Sequence, residues 1–275
     1  MADEALTPSE SDLRHNVLIH VGAQKNCSTL IHVDRINCLV VIVKAGNYLP
    51  NWDRISDQIC TENAEVQAEI VDVHNAFRRA VQPSAANMLM MSYSEEIAVG
   101  AQAWVDRCIL SDLLGRSVLP SCVFCSHAGY ELGENLYYSS YPFSWTGIIT
   151  IWHEEVTHYN YPNGSTDGSS VGHYTQVTIV WNSSYRVGCG VAQCSNFYLY
   201  GCQYYRAGAL PYKAGRPCAS CPGSCVEKLC TNPCPLVDNF LNCPTLKAIA
   251  GCSNKLVSAW CPASCTCTTE IIPVG

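Results

Sequence analysis

Residues 172–181 read GHYTQVTIVW, from Gly172 to Trp181. Val177, Ile179 and Trp181 fall on the same side as His173 in period-two alternation, the pattern of a half-buried strand. The run therefore predicts a strand with a histidine at its mouth. Three roles are open to that imidazole: a core residue with both nitrogens satisfied, a metal ligand, or a catalytic base. Two more strand-like runs follow, YRVGCGVA at 185–192 and NFYLYGCQYY at 196–205.

Helical periodicity dominates upstream. In AEVQAEIVDVHNAFRRAV (64–81), Val66, Ile70, Val73 and Phe77 share one face. In SEEIAVGAQAWVDRC (94–108), Ile97, Ala101, Trp104 and Cys108 do the same. Ser94 suits the N-cap there, and Glu95 and Glu96 suit the positive end of the dipole. A third helix is predicted from about Ser144 to Tyr159, with Ile148, Trp152, Glu155 and Tyr159 in its stripe. A carboxylate on a buried stripe is costly unless paired, so Glu155 calls for a partner. His74 and Asn75 read as ties from the first helix to neighbouring backbone, and His153 as a solvated surface ring. Residues 1 to about 60 carry no motif; IHVDRINCLVVIVKAG (31–46) suits one strand.

Composition narrows the class. The chain has 275 residues, 48% hydrophobic and 14% charged, which is globular. A net charge of −7 argues against a bulk nucleic-acid binder. No apolar run nears the roughly 18 residues needed to cross a membrane. Nineteen cysteines, ten of them between Cys218 and Cys267, point to an oxidising compartment. Sequons at Asn26, Asn163 and Asn182 agree with secretion as a glycoprotein. The acidic, polar start MADEALTPSESDLRHNV shows no secretory leader. The cysteines weigh more, because so many reduced thiols would be a liability in cytosol.

Five motifs then occur in order: HNAFRR (74–79), GENL (133–136), WHEEV (152–156), GHYTQ (172–176) and YRVGCGVAQC (185–194). They resemble the CAP superfamily. The tail CASCPGSCVEKLCTNPC (218–234), with further cysteines at 243, 252, 261, 265 and 267, is similar to the cysteine-rich domain of cysteine-rich secretory proteins (CRISPs). The resemblance spans about 65–267. It implies an α+β chain: a three-layer α–β–α sandwich followed by a small disulfide-rich helical domain like sea-anemone potassium-channel toxins. The expected parts are an unassigned segment 1–62, the sandwich 63–210, a hinge 211–233, the toxin-like domain 234–267 and a tail 268–275.

The same resemblance implies a pairing scheme. Cys108 is expected with Cys194 and Cys189 with Cys202 in the sandwich, then Cys218 with Cys225 and Cys221 with Cys230 in the hinge. The tail pairs would be Cys234 with Cys267, Cys243 with Cys261, and Cys252 with Cys265. A third sandwich bridge usual in CRISPs has lost both partners, at Leu132 and Tyr205. Cys122 and Cys125 sit in an enlarged loop with a local bridge as one option, while Cys27, Cys38 and Cys60 are unassigned. An odd total leaves at least one thiol free or intermolecular. Family members also run from GHYTQ into a shorter strand, so "TI" before Val180 looks like an insertion.

By resemblance, two histidines and two glutamates face a shared cleft. The matching residues are His173, Glu134 and Glu155; the second histidine position holds Asp112, and His127 in the enlarged loop is a substitute. Such a set would hold Zn²⁺, although no cofactor is required by the reading. The functional expectation is a secreted, non-enzymatic protein acting on ion channels or cell-surface receptors through its cysteine-rich domain, with sperm–egg interaction or sperm guidance as the setting. Trp260 is a candidate anchor, and Lys247 and Lys255 are the only cations between Cys234 and Cys267. One alternative is a sterol or lipid carrier using the aromatic run LYYSSYPFSW (136–145). Another is a metal-dependent peptidase with His173 as general base, weakened by the absence of HExxH, of G-x-S-x-G and of a placed nucleophile.

Overall fold

The computed structural model describes residues 25–26, 58–109, 126–127, 130–175, 184–205 and 212–272. Its elements in chain order are β1 (Lys25–Asn26), α1 (Ala64–Arg79), β2 (Ser92–Tyr93), α2 (Glu95–Val105), β3 (Ser126–His127), β4 (Tyr130–Glu131), β5 (Gly133–Ser139), α3 (Trp145–Glu154), a 3₁₀ turn (Glu155–His158), β6 (Tyr159–Asn160) and β7 (Gly164–Ser165). There follow the one-turn helix α4 (Gly172–Tyr174), β8 (Arg186–Gln193), β9 (Tyr198–Tyr205), β10 (Cys225–Val226), β11 (Leu229–Cys230), α5 (Cys243–Ala250), α6 (Lys255–Trp260) and α7 (Pro262–Thr266).

Each long helix starts on a side-chain cap. Asn63 Oδ1 accepts from the Glu65 amide at 2.9 Å, Ser94 Oγ from Ile97 at 3.5 Å, and Ser144 Oγ from Gly147 at 3.2 Å. These oxygens satisfy amides that have no partner within the first turn. The third helix ends at Glu154, short of the expected Tyr159, and tightens to 3₁₀. Thr157 Oγ1 donates to the Glu154 carbonyl at 3.0 Å, a local bond that competes with helix continuation.

The sheet is mixed, with β8 and β9 at its centre. Its order is β1-β8-β9-β5, and β2 lies parallel beside β8. Antiparallel register runs from Arg186↔Tyr205 to Gln193↔Tyr198, and from Gly133↔Tyr204 to Ser139↔Tyr198. Alternation then sorts the two faces. Val187, Cys189 and Val191, with Tyr200, Cys202 and Tyr204, pack against Ile70, Trp145, Ile148, Ile149 and Trp152 of α1 and α3. The opposite face meets α2, where Trp104 and Val105 pack on Leu136, Ala192 and Leu199. This is the three-layer arrangement.

The α2 face is made by what is missing from it. A Cβ on Gly188 would lie 2.1 Å from the Ala98 nitrogen, and one on Gly190 would lie 2.6 Å from the Gln102 Cα. The helix backbone therefore rests directly on the strand. Gln102 uses the proximity: its Oε1 accepts from the Val191 amide at 3.1 Å and its Nε2 donates to the Val191 carbonyl at 3.0 Å.

The opening stretch departs from its expected form. Gly172–Tyr174 is a helical turn, not the mouth of a strand. Tyr174 is buried among Val81, Met88, Tyr212 and Leu229, and its amide is bonded to Glu155. Thr175 N closes the turn on the Val171 carbonyl at 3.0 Å. Residues 176–183 of this stretch, and the expected 31–46 strand, lie outside the described residues.

Seven disulfides join described cysteines: 108–194, 189–202, 218–225, 221–230, 234–267, 243–261 and 252–265. These are the pairs the resemblance implies. Cys60 is disulfide-bonded as well. Cys27, Cys38, Cys122 and Cys125 lie outside the described residues. Where the third family bridge is lost, Tyr205 packs edge-on against Tyr185 at 5.6 Å.

Segment 213–230, within the expected hinge, docks on the sandwich through backbone bonds. Ala86 N donates to Lys213 O, Ser220 N to Ala86 O, Cys230 N to Met88 O and Met90 N to Cys230 O, all at 2.7–3.0 Å. Cys218, Cys221 and Cys230 share a core with Leu89, Tyr185 and Ile271. Beyond it, α5, α6 and α7 fold around Cys243, Val257 and Cys261.

Gly190→Ala should destabilise the sandwich by about 1–3 kcal/mol, because helix backbone blocks the added methyl. Thermal unfolding of the purified protein should show a drop of roughly 5 °C. Gly223, with open space around it, is the matched control, and Gly223→Ala should leave Tm in place.

Candidate functional site

The site is built where α3 ends and α4 begins. Glu155 caps α3, and His173 sits in the middle of the Gly172–Tyr174 turn. The two side chains meet: Glu155 Oε1 lies 2.8 Å from His173 Nδ1. The other carboxylate oxygen accepts from the Tyr174 amide at 3.0 Å. Glu155 thereby has the partner its place on the helix stripe called for. A carboxylate only accepts, so Nδ1 carries the proton and Nε2 is left as the imidazole's outer nitrogen.

Two further residues hold the histidine in place. Asn135 Nδ2 donates to the His173 carbonyl at 3.1 Å. The Trp152 ring lies nearly parallel to the imidazole, 6.3 Å away, and is locked by its own indole bond to Leu136 O at 3.1 Å. Asn135 stands inside the GENL motif, and Trp152 opens WHEEV. Sequence reasoning placed Trp152 only in a packing stripe and gave Asn135 no role. Its position beside a glutamate that the motif singles out was the available signal.

Of the expected cleft set, the structure joins His173 and Glu155 directly. Glu134 pairs across the strand with Gln203, whose Nε2 donates to Glu134 Oε2 at 3.0 Å. Strand alternation sets Glu134 on the α2 face with Leu136 and Gly201, and Asn135 on the face toward α1 and α3. Asp112 lies outside the described residues, and only the backbone of His127 is described, paired with Tyr130. Zinc needs three or four convergent donors. Among the described residues the only such close group is Cys218, Cys221 and Cys230, and all three are in disulfides. The described part of the cleft set therefore does not amount to a zinc site.

The other histidines divide differently from expectation. His74 is fully buried, with Nδ1 2.7 Å from Ile70 O and Nε2 3.1 Å from the Tyr204 hydroxyl. The carbonyl can only accept, so Nδ1 is protonated and the tyrosine donates to Nε2. Asn75 exchanges two bonds with Met91, at 3.0 and 2.8 Å, and so acts as a substitute strand partner. His153 is not simply solvated. It stacks on Phe77 at 3.9 Å and meets Tyr174 edge-on, and burial lowers its pKa. At the surface His158 pairs with Asp167 at 2.7 Å. Of the sequons, Asn163 is exposed in the turn between β6 and β7. Asn182 lies outside the described residues, and only the backbone of Asn26 is described.

A cavity of about 310 Å³ opens over α2, between Thr61, Glu62, Glu95, Ala98, Gln102 and Asp106. Burial raises the Glu62 carboxyl there, with help from Glu95.

Comparison with known proteins agrees with this architecture. A family model described as CAP, the cysteine-rich secretory protein family, matches residues 71–205, and one described as Crisp matches 218–272. The chain belongs to the cysteine-rich secretory proteins of the CAP superfamily. Similar solved structures include NaASP2 with Zn²⁺, 26% identical, spanning 62% of this chain and 100% of that one, with a TM-score of 0.49. The Schistosoma mansoni venom allergen-like protein 4 is 26% identical over 57% of this chain and 99% of its own, with a TM-score of 0.46. A hookworm platelet inhibitor is 18% identical over 63% and 96%, with a TM-score of 0.47.

His74 makes stability depend on pH. Burial, aided by repulsion from Arg78, lowers its pKa from 6.5 to about 4. The folded value lies below the unfolded one, so the unfolded chain takes up the proton first as pH falls. The contribution is full above 6.5 and is lost progressively down to about 4, a total of about 3 kcal/mol. Denaturant unfolding across this window should show stability falling with acid. His74→Gln should flatten that slope, and an unchanged slope would assign the acid sensitivity to other groups.

Proposed function

We propose that this protein is an extracellular, non-enzymatic binding protein whose C-terminal module docks on an ion channel or another cell-surface protein. The observation that carries this reading is the surface of the module. Phe240, Leu241, Ile249, Leu256 and Trp260 are between 40% and 79% exposed in a segment cross-linked by three disulfides. Leu256 and Trp260 are one helical turn apart on α6, and Phe240 meets Trp260 edge-on at 5.5 Å. Apolar side chains of this size, held on a stapled frame, bind with little ordering cost. Exposed apolar patches mark interaction sites.

Charge has a small part in this surface. Asp238 accepts from both the amide and the hydroxyl of Ser264, and Lys247 Nζ donates to the Ser264 carbonyl. Those two charges are used inside the module. Lys255, at the start of α6, is the cation placed beside the apolar residues.

The geometry at His173 supports a non-enzymatic reading. Both oxygens of Glu155 are engaged in tying α3 to α4, and the imidazole is gripped through its backbone and one ring nitrogen. A fixed bracket of this kind suits a recognition scaffold. The cysteine content and the family support an extracellular location, and exposed Asn163 is the sequon best placed for a glycan.

Patch-clamp recording with the full-length protein over a broad channel panel, joined to binding on intact cells, tests the proposal. A saturable effect is expected. Trp260→Ala and Phe240→Ala should each weaken it at least about tenfold, as central aromatic anchors do, while Lys255→Ala should change it by less. No channel effect together with no saturable cell binding would overturn the reading.

A further inference from the structure

We propose that the two hinge disulfides form a thiol-exchange site. A monothiol of the glutathione class enters at Cys225 and converts Cys218–Cys225 plus Cys221–Cys230 into Cys218–Cys221 plus Cys225–Cys230. This reading does not depend on what the C-terminal module binds.

The four sulfurs are already gathered. The Sγ atoms of Cys218, Cys221 and Cys230 all lie within 4.8 Å of one another, and Cys225 Sγ is bonded to that of Cys218. Their access differs sharply. Cys218, Cys221 and Cys230 are at most 5% exposed, whereas Cys225 is on the surface. An external thiolate therefore reaches Cys225 first, and Cys218 is the leaving sulfur.

Both alternative pairs fit the backbone as it stands. Cys225 and Cys230 are directly opposite in the β10–β11 hairpin, one step beyond Val226↔Leu229. The flanking pair is hydrogen-bonded, Thr231 N to Ser224 O at 2.9 Å. Cys225 and Cys230 thus occupy the non-hydrogen-bonded position, where Cα atoms stand about 4.5 Å apart, inside the usual disulfide range. Glu227 and Lys228, at φ 47° and 72°, fix the tight turn that holds this register. Cys218 and Cys221 enclose only Ala219 and Ser220, and Cys221 N bonds Cys218 O at 3.0 Å. That closes one turn and keeps the two Cα atoms within about 7 Å.

The chemistry balances in three exchanges. The external thiolate attacks Cys225 Sγ, forming a mixed disulfide and releasing Cys218 thiolate. Cys218 then attacks Cys221 Sγ, forming Cys218–Cys221 and releasing Cys230 thiolate. Cys230 attacks Cys225 Sγ of the mixed disulfide, forming Cys225–Cys230 and expelling the external thiolate. Each step breaks one S–S bond and makes one. The thiol is regenerated, and nothing is oxidised or reduced overall.

Exchange changes what is bolted to what. In the present pairing, two bridges join the turn at 216–222 to the hairpin. Ser220 N holds that turn to Ala86 O, and Cys230 holds the hairpin to Met88 and Met90. In the exchanged form the turn and the hairpin are each closed on themselves. The join between sandwich and module then keeps its hydrogen bonds and loses its cross-links.

The test uses the secreted full-length protein in a mixed reduced and oxidised glutathione buffer. The reaction is quenched by acid and alkylation, then mapped by peptide mass spectrometry with fragmentation between Cys221 and Cys225. The expected result is both new bridges in equal amounts, with the other five described bridges intact and no gain in free thiols. Failure of the new pairs to form, or a Cys218–Cys225 bridge simply reduced to two thiols, would overturn the proposal. Cys225→Ser gives an independent reading by unmasking Cys218 from the outset. It should yield Cys218–Cys221 with Cys230 open to alkylation; a retained Cys221–Cys230 bridge beside a free Cys218 would count against exchange. Should that variant not be secreted, the wild-type map decides alone.

Discussion

The structure depends on a contact in which one partner has no side chain. At Gly188 and Gly190 the backbone of α2 lies directly on strand β8, too close for any Cβ. That approach leaves Gln102 near enough to satisfy both backbone groups of Val191, and lets Trp104 and Val105 reach Leu136 and Leu199 across the sheet. The other face takes the bulk that this one refuses: Val187, Cys189 and Val191 alternate with the glycines and meet the large rings of Trp145 and Trp152. A sheet of period two thus becomes a thin face and a thick face, and the three layers follow from it.

The same economy governs the residues around His173. Glu155 is placed by the end of a helix and engaged by both the ring and the backbone of the next short turn. Asn135 approaches from β5 and Trp152 from α3, so a strand and a helix together fix the one residue His173. Below them, a second polar chain runs from Ile70 through His74 to Tyr204 in full burial. Burial raises the pKa of the Tyr204 hydroxyl, which keeps its proton available for His74. Buried polar chains of this kind specify a single arrangement, because each broken link strands a polar atom.

Much of this is legible in the sequence. The first two helices, the Ser94 start of the second and the strands around Cys189 and Cys202 follow from local periodicity and capping, which act within a few residues. The need of Glu155 for a partner followed from its place on an apolar stripe. Other features depend on contacts between distant parts of the chain, and local pattern misled there. His173 looked like a strand residue because Val177, Ile179 and Trp181 alternate after it; burial of Tyr174 and the Glu155 bond wind its own segment into a turn. His153 looked solvated because nothing nearby in sequence reports Phe77 stacking over it. Glu134 was singled out by motif alone, and its bond to Gln203 depends on the register of two strands nearly seventy residues apart.

Segment 84–90 runs alongside residues 213–230 and exchanges backbone bonds with them at Ala86, Met88 and Met90. Arg79, at the end of α1, adds an ion pair to Glu227 at the hairpin tip. The C-terminal module is therefore mounted like a fixed bit rather than swung on a tether. A partner held by the module, as proposed, would meet the sandwich at a set distance and attitude, so a second contact by the sandwich would be made at high local concentration without a search.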